Sequence, residues 1–128
     1  MTDSGSGCAG TASRIVPTAS GDYTVGVLVQ ANYGRRAELR IDGVPVGREL
    51  GFDEVPPAFP REKETGSIII VVATDAPLLP HQCRRMAQRA SLGLARMGGS
   101  SGDGSGDIFI AFSTGNTDVE RHDGHEPL

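Results

Sequence analysis

Ile68-Ile69-Ile70-Val71-Val72-Ala73-Thr74 is β-branched almost throughout. Branched side chains pack well on a pleated surface, so the stretch predicts a strand. Successive strand residues point to opposite faces, and here both faces are apolar. Such a strand is expected at the centre of a sheet with a layer on each side.

Reading outward toward the C-terminus, Pro80 stands where the first turn of a helix tolerates proline. Apolar residues then recur at Cys83, Met86, Ala87, Ala90, Leu94 and Met97. Spacings of three and four predict an amphipathic helix over 81–97, with Arg84, Arg85, Gln88 and Arg89 on its solvated side. Gly98-Gly99 marks a flexible stop. The tract Gly98-Gly-Ser-Ser-Gly-Asp-Gly-Ser-Gly106 is flexible by composition and runs into a second strand-like stretch, residues 107–113.

Toward the N-terminus, residues 51–66 hold three prolines and several charges without apolar period, which predicts a surface loop. Residues 39–46 read as a hairpin turning on Asp42-Gly43. Pro45 cannot donate to a ladder, so its second arm should be an edge or very short. Tyr23-Thr-Val-Gly-Val-Leu-Val-Gln-Ala31, bounded by Gly21 and by Asn32-Tyr33-Gly34, predicts a further buried strand. Residues 1–21, rich in Gly, Ser, Thr and Ala around one apolar patch at Ile15-Val16, are expected to be largely loop. The tail from Gly115 is polar and acidic, and disorder is expected there.

At 128 residues the chain has room for one α/β domain. A net charge of −4 leaves no electropositive footprint for nucleic acid. The longest apolar run is one strand long, far short of the roughly 18 residues of a membrane span, so neither nucleic acid nor membrane is expected as a partner. Two cysteines, Cys8 and Cys83, do not make a disulfide framework, and residues 1–7 lack the apolar core of a secretory signal. A cytoplasmic location is the expectation.

A serine in a Gly/Ser tract is ordinarily a linker residue. Ser105 differs in position: it lies between Gly104 and Gly106, immediately before a strand that could hold it rigidly. If the Gly104-Ser105 bond were cut, Ser105 would gain an α-amine of pKa about 7.7–8.0, able to act as base for its own hydroxyl. No histidine would then be required, and His81, His122 and His125 form no convincing Ser-His-Asp pattern. His122 and His125 with Asp123 and Glu126 read as a solvated acidic tail rather than a metal site, and no cofactor is expected. Cys83 on the helix's apolar stripe reads as a small hydrophobe. Asn32 could aim its side-chain amide at a developing oxyanion, although Asn before Tyr-Gly is more commonly a turn residue.

Three stretches are together similar to one family. Tyr23-Thr-Val-Gly-Val-Leu-Val-Gln-Ala-Asn-Tyr-Gly34, Thr74-Asp-Ala-Pro-Leu-Leu-Pro-His-Gln-Cys-Arg-Arg85 and Ser105-Gly-Asp-Ile-Phe-Ile-Ala-Phe-Ser-Thr114 resemble, in this order, the P1 family of peptidases. That family includes the L-aminopeptidase/D-esterase and the β-peptidyl aminopeptidases. The resemblance implies a precursor that cleaves itself between Gly104 and Ser105, making Ser105 the N-terminal nucleophile, with Asn32 in the oxyanion hole. It implies a substrate that is a peptide, amide or ester losing its N-terminal residue, and a homo-oligomer. The implied fold is a four-layer αββα sandwich resembling the N-terminal nucleophile hydrolases with altered strand connectivity, residues 68–74 lying in its sheets and 81–97 in an outer layer.

Residues 10–116 carry the resemblance, while 117–128 do not resemble the family's continuation. Family precursors are longer on both sides. Their N-terminal part supplies another oxyanion donor, and their C-terminal part a serine and a glutamate, none of which has a counterpart here. The expectation is therefore a single partial peptidase domain with apolar sheet surface left open. The alternative is an inactive remnant or interaction module of the same fold. Ornithine acetyltransferases, which also cleave themselves, ordinarily use threonine, and Ser105 argues against that class.

Overall fold

A computed structural model gives the structure of residues 8–56 and 66–117. Residues 1–7, most of the expected loop over 51–66, and the tail with His122 and His125 lie outside the described residues. One four-stranded sheet organises the chain, in the order β1 (Cys8–Thr18), β2 (Gly21–Asn32), β3 (Ser67–Thr74) and β4 (Ile108–Ser113). The first two pairings are antiparallel; β3 and β4 are parallel. A parallel pair needs a crossover, and helix α2 (Pro80–Arg96) supplies it.

The three segments read as strands and the one read as a long helix form within a residue or two of the expected bounds. The reading of residues 1–21 as loop is corrected: Cys8–Thr18 is an eleven-residue edge strand. All of its residues are exposed, so nothing about its side chains had to be apolar. It is held by main-chain pairing to β2 through a two-residue turn, where the Thr18 hydroxyl donates to the Gly21 carbonyl at 2.7 Å. Main-chain pairing leaves no mark on hydrophobic period.

The hairpin over 39–46 shrinks to a single bridge between Ile41 and Val44. Asp42 and Gly43 turn the chain with φ of 50° and 84°, the doubly left-handed geometry that Asp-Gly favours. Pro45 then caps a one-turn helix, α1 (Val46–Glu49), and no second arm forms.

At the end of α2, Gly98 takes φ 94° and donates to Ala95, while Gly99 donates to Leu94, both at 3.0 Å. This pair of bonds is a Schellman motif, so the glycines fix the helix end where a flexible stop was expected. A Cβ on Gly98 would overlap the Glu38 carbonyl.

The core lies between α2 and one face of the sheet. Ile68, Ile70, Val72 and Leu94 are buried there, with Val25, Val27, Val29, Met86, Ala90 and Phe109 packed around them. The opposite face is not covered among the described residues: Leu28, Ile69, Ile108, Ile110 and Phe112 are exposed on it. The expectation of a layer on each side of the central strand is therefore met on one side only. Beside α2, over β2, the covered face opens into an apolar groove of about 570 Å³ lined by Val27, Val29, Tyr33, Leu39 and Met97 among others. No helix of the described chain is long and apolar enough to cross a membrane.

Candidate active site

Asn32 ends β2 and its register partner is Ser67, the first residue of β3. The Ser67 hydroxyl in turn accepts the Gly106 backbone N–H at 3.1 Å. Ser105 and Asn32 thus stand at the same end of the sheet, with the start of β3 between them. Among the described residues no hydrogen bond joins the two side chains.

Ser105 is half-buried, and its hydroxyl donates to the Asp107 carboxylate. The other carboxylate oxygen of Asp107 accepts from the Ser101 hydroxyl at 3.0 Å. The backbone N–H of Ser105 donates to the Gly102 carbonyl at 2.8 Å. That bond closes a turn over Gly102-Asp103-Gly104-Ser105 in which the Gly104-Ser105 peptide bond is the last link. Immediately afterward the chain is fixed, since Ile108 pairs with Ile69. The tract expected to be merely flexible is therefore a tied loop leading into a rigid strand.

Tyr33, next to Asn32, is half-buried against the core. Burial pushes its phenol above the ordinary 10.0, and the nearby charges of Cys8 and Asp107 push the same way. The phenol is therefore neutral near pH 7 and close enough to Asp107 to feel its charge. Gly66 packs under this corner, where a Cβ would come within 2.8 Å of the Asn32 carbonyl oxygen. A side chain at that position would displace the segment carrying Asn32.

Sequence reasoning named Ser105 and Asn32 as candidates and did not name Asp107, Ser101, Ser67 or Tyr33, which the structure brings to the same corner. A signal for Asp107 existed in Ser105-Gly106-Asp107, because residues two apart on an extended chain point to one side. Ser67 and Ser101 carried none, being single serines in polar surroundings. His81 is exposed on the first turn of α2 and takes no part in this cluster. Cys83, half-buried on α2, is a free thiol. Among the described residues no three His, Cys, Asp or Glu side chains gather closely enough to hold a metal ion.

The opposite end of the sheet is tied by polar contacts among three segments distant in sequence. Asp75 accepts from the Thr24 N–H at 2.7 Å, Thr114 N–H donates to Thr74 at 2.8 Å, and the Ser113 hydroxyl donates to the Ala76 carbonyl. The last two of these bonds tie the end of β4 to the segment that leaves β3.

Chemically, the cluster combines a hydroxyl, a carboxylate that accepts its hydrogen bond, and, directly before the serine, a peptide bond held in a turn. The pattern of Peptidase family S58 matches residues 3–126 of the chain. The β-peptidyl aminopeptidase BapA of Sphingosinicella microcystinivorans is 48% identical over 129 residues, covering 93% of this chain and 33% of the relative. A solved β-aminopeptidase from a Burkholderia species superposes with a TM-score of 0.75 at 55% identity, over 91% of this chain and 30% of the other. The L-aminopeptidase D-Ala-esterase/amidase of Ochrobactrum anthropi, described as a prototype of the serine aminopeptidases with a variant N-terminal nucleophile hydrolase fold, gives 0.72 at 48% identity. It covers 88% of this chain and 29% of its own. The chain spans about a third of the length of the curated relatives it matches.

Proposed function

This chain belongs to peptidase family S58, and on that premise we propose that it carries the nucleophile of a self-processing serine aminopeptidase, Ser105, released by cleavage of the Gly104-Ser105 bond. The observation that carries this reading is the seat of Ser105: a hydroxyl bonded to a carboxylate, at the entry of a strand, following a hydrogen-bonded turn.

In the uncut chain the Ser105 oxygen attacks the Gly104 carbonyl carbon through a five-membered ring, so proximity is supplied by the covalent chain itself. The peptide bond becomes an ester, and water then hydrolyses the ester. This leaves a Gly104 carboxylate and a Ser105 that bears both a hydroxyl and a free amine.

In turnover the freed amine takes the Ser105 hydroxyl proton while the oxygen attacks a substrate carbonyl. The substrate's N-terminal residue is held as an ester on Ser105, the leaving amine or alcohol departs with a proton, and water releases the acid. Asn32, at the same end of the sheet, is the donor proposed for the oxyanion. Substrates are short peptides, amides or esters with a free N-terminus, in keeping with the β-peptidyl and L-amino-acid activities named for the relatives. The exposed apolar face of the sheet fits a second sheet packing on it, which is the four-layer arrangement, and assembly into a homo-oligomer is part of the same reading.

The reading is tested by incubating the purified chain with a short peptide amide and looking for the acyl intermediate by mass. The expected result is a single released N-terminal residue and an adduct that maps to Ser105, both lost in Ser105→Ala. Hydrolysis undiminished by that substitution rules the assignment out.

A further inference from the structure

Both oxygens of one carboxylate are taken by serine hydroxyls of the Gly/Ser tract. Ser105 donates to one oxygen of Asp107 and Ser101, six residues upstream, donates to the other at 3.0 Å. Asp107 itself is half-buried and directly precedes β4, whose first residue is paired to β3, so the carboxylate is anchored by the sheet. Ser101 holds a φ of 47°, uncommon for a residue with a Cβ, and its hydroxyl bond to Asp107 offsets that conformation.

Self-cleavage poses a problem that turnover does not. Before the bond is cut, the nitrogen of Ser105 is an amide and has no basicity, so the amine base of the mature nucleophile does not yet exist. His81 sits on α2 and makes no contact with Ser105. The proton on the Ser105 oxygen already points at Asp107.

We infer that the Asp107 carboxylate is the base of the self-cleavage step, taking the Ser105 hydroxyl proton and returning it to the departing nitrogen, while its second bond to Ser101 holds the scissile turn in place. This rests on the self-processing reading above and gives the carboxylate, which that reading uses only as the seat of Ser105, a chemical step of its own. The proton moves from the Ser105 oxygen to the Asp107 carboxylate as the oxygen-to-carbon bond to Gly104 forms. The carbon-to-nitrogen bond then breaks, and the Ser105 nitrogen receives the proton from Asp107. One water molecule, consumed in the ester hydrolysis, completes the balance. Asp107 ends as a carboxylate, as it began.

The test is a time course of chain cleavage, followed by intact mass, for the full chain and four variants. Asp107→Asn keeps the shape and one acceptor oxygen but is a poor base, and cleavage should slow by about 100-fold or more. Asp107→Ala should be equally slow, and added sodium formate should restore cleavage with a rate that rises and saturates with formate. Ser101→Ala should slow cleavage less than either. Asp107→Asn cleaving at the wild-type rate, or a slow Asp107→Ala that formate does not accelerate, overturns the inference; the second outcome assigns Asp107 to shape alone. Where Asp107→Ala is unfolded by circular dichroism, the near-isosteric Asp107→Asn decides. The two readings fail differently: a wild-type chain that stays whole, or Ser105→Ala that is still cut, removes the self-processing reading itself, whereas cleavage independent of Asp107 removes only this step.

Discussion

Ser105 and Asp107 stand two residues apart where a glycine-rich tract becomes a strand, and their neighbours give that pair its chemistry. The serine's setting, between two glycines and ahead of an apolar run, made it a candidate, and the resemblance of its block to a peptidase family singled it out. The carboxylate was not, because an aspartate beside a strand is ordinarily a solvated residue and only the fold shows both its oxygens engaged. Tyr33 was hidden for a different reason, since its burial comes from residues distant in sequence such as Leu94 and Gly99. Its raised pKa gives a signed prediction. The unfolded phenol ionises near 10.0 and the folded one later, so the folded state is not penalised below 10.0 and loses stability as pH rises from there through the folded value. Denaturant midpoints for wild type should fall between pH 9 and pH 11 more steeply than for Tyr33→Phe. Parallel curves would show that the phenol is not shielded in the folded chain.

Elements whose side chains are buried announced themselves, and the one held by its backbone did not. β2, β3, α2 and β4 each carry an apolar pattern because each contributes to the layer between sheet and helix. β1 contributes nothing to that layer and was read as loop, although its eleven residues pair throughout with β2. The short hairpin failed in the opposite sense: its turn chemistry was right, but no layer waited to bury its arms, so only one bridge forms. The same logic locates the stability of α2 in Leu94, at 5% exposure the one buried residue of that helix. Leu94→Ala should cost about 2–5 kcal/mol by urea unfolding, through lost burial and the cavity left behind. Leu92→Ala, on the exposed side, should cost little. Equal costs would mean that the helix does not dock on the face described.

At the scale of the sheet, a mixed sheet with one helical layer leaves, among the described residues, an apolar face of Leu28, Ile69, Ile108, Ile110 and Phe112 uncovered. The sequence carried this in the two-sided apolarity of residues 68–74, which says that both faces want covers but not where the second comes from. Keeping such a face wet forgoes about 25 cal/mol for each Å² left uncovered. The purified chain should therefore self-associate, its sedimenting mass rising with concentration, and Ile110→Lys with Phe112→Lys should keep it monomeric with unchanged far-ultraviolet circular dichroism. A wild-type chain that is monomeric at every concentration contradicts the open face.

The central claim concerns one bond in this molecule. Intact-mass analysis of the chain after prolonged incubation, beside Ser105→Ala, tests it most directly. The account predicts two pieces, residues 1–104 and residues 105–128 with Ser105 at the new N-terminus, from the wild type alone. One undivided mass from both chains, or a cut at any other bond, contradicts it.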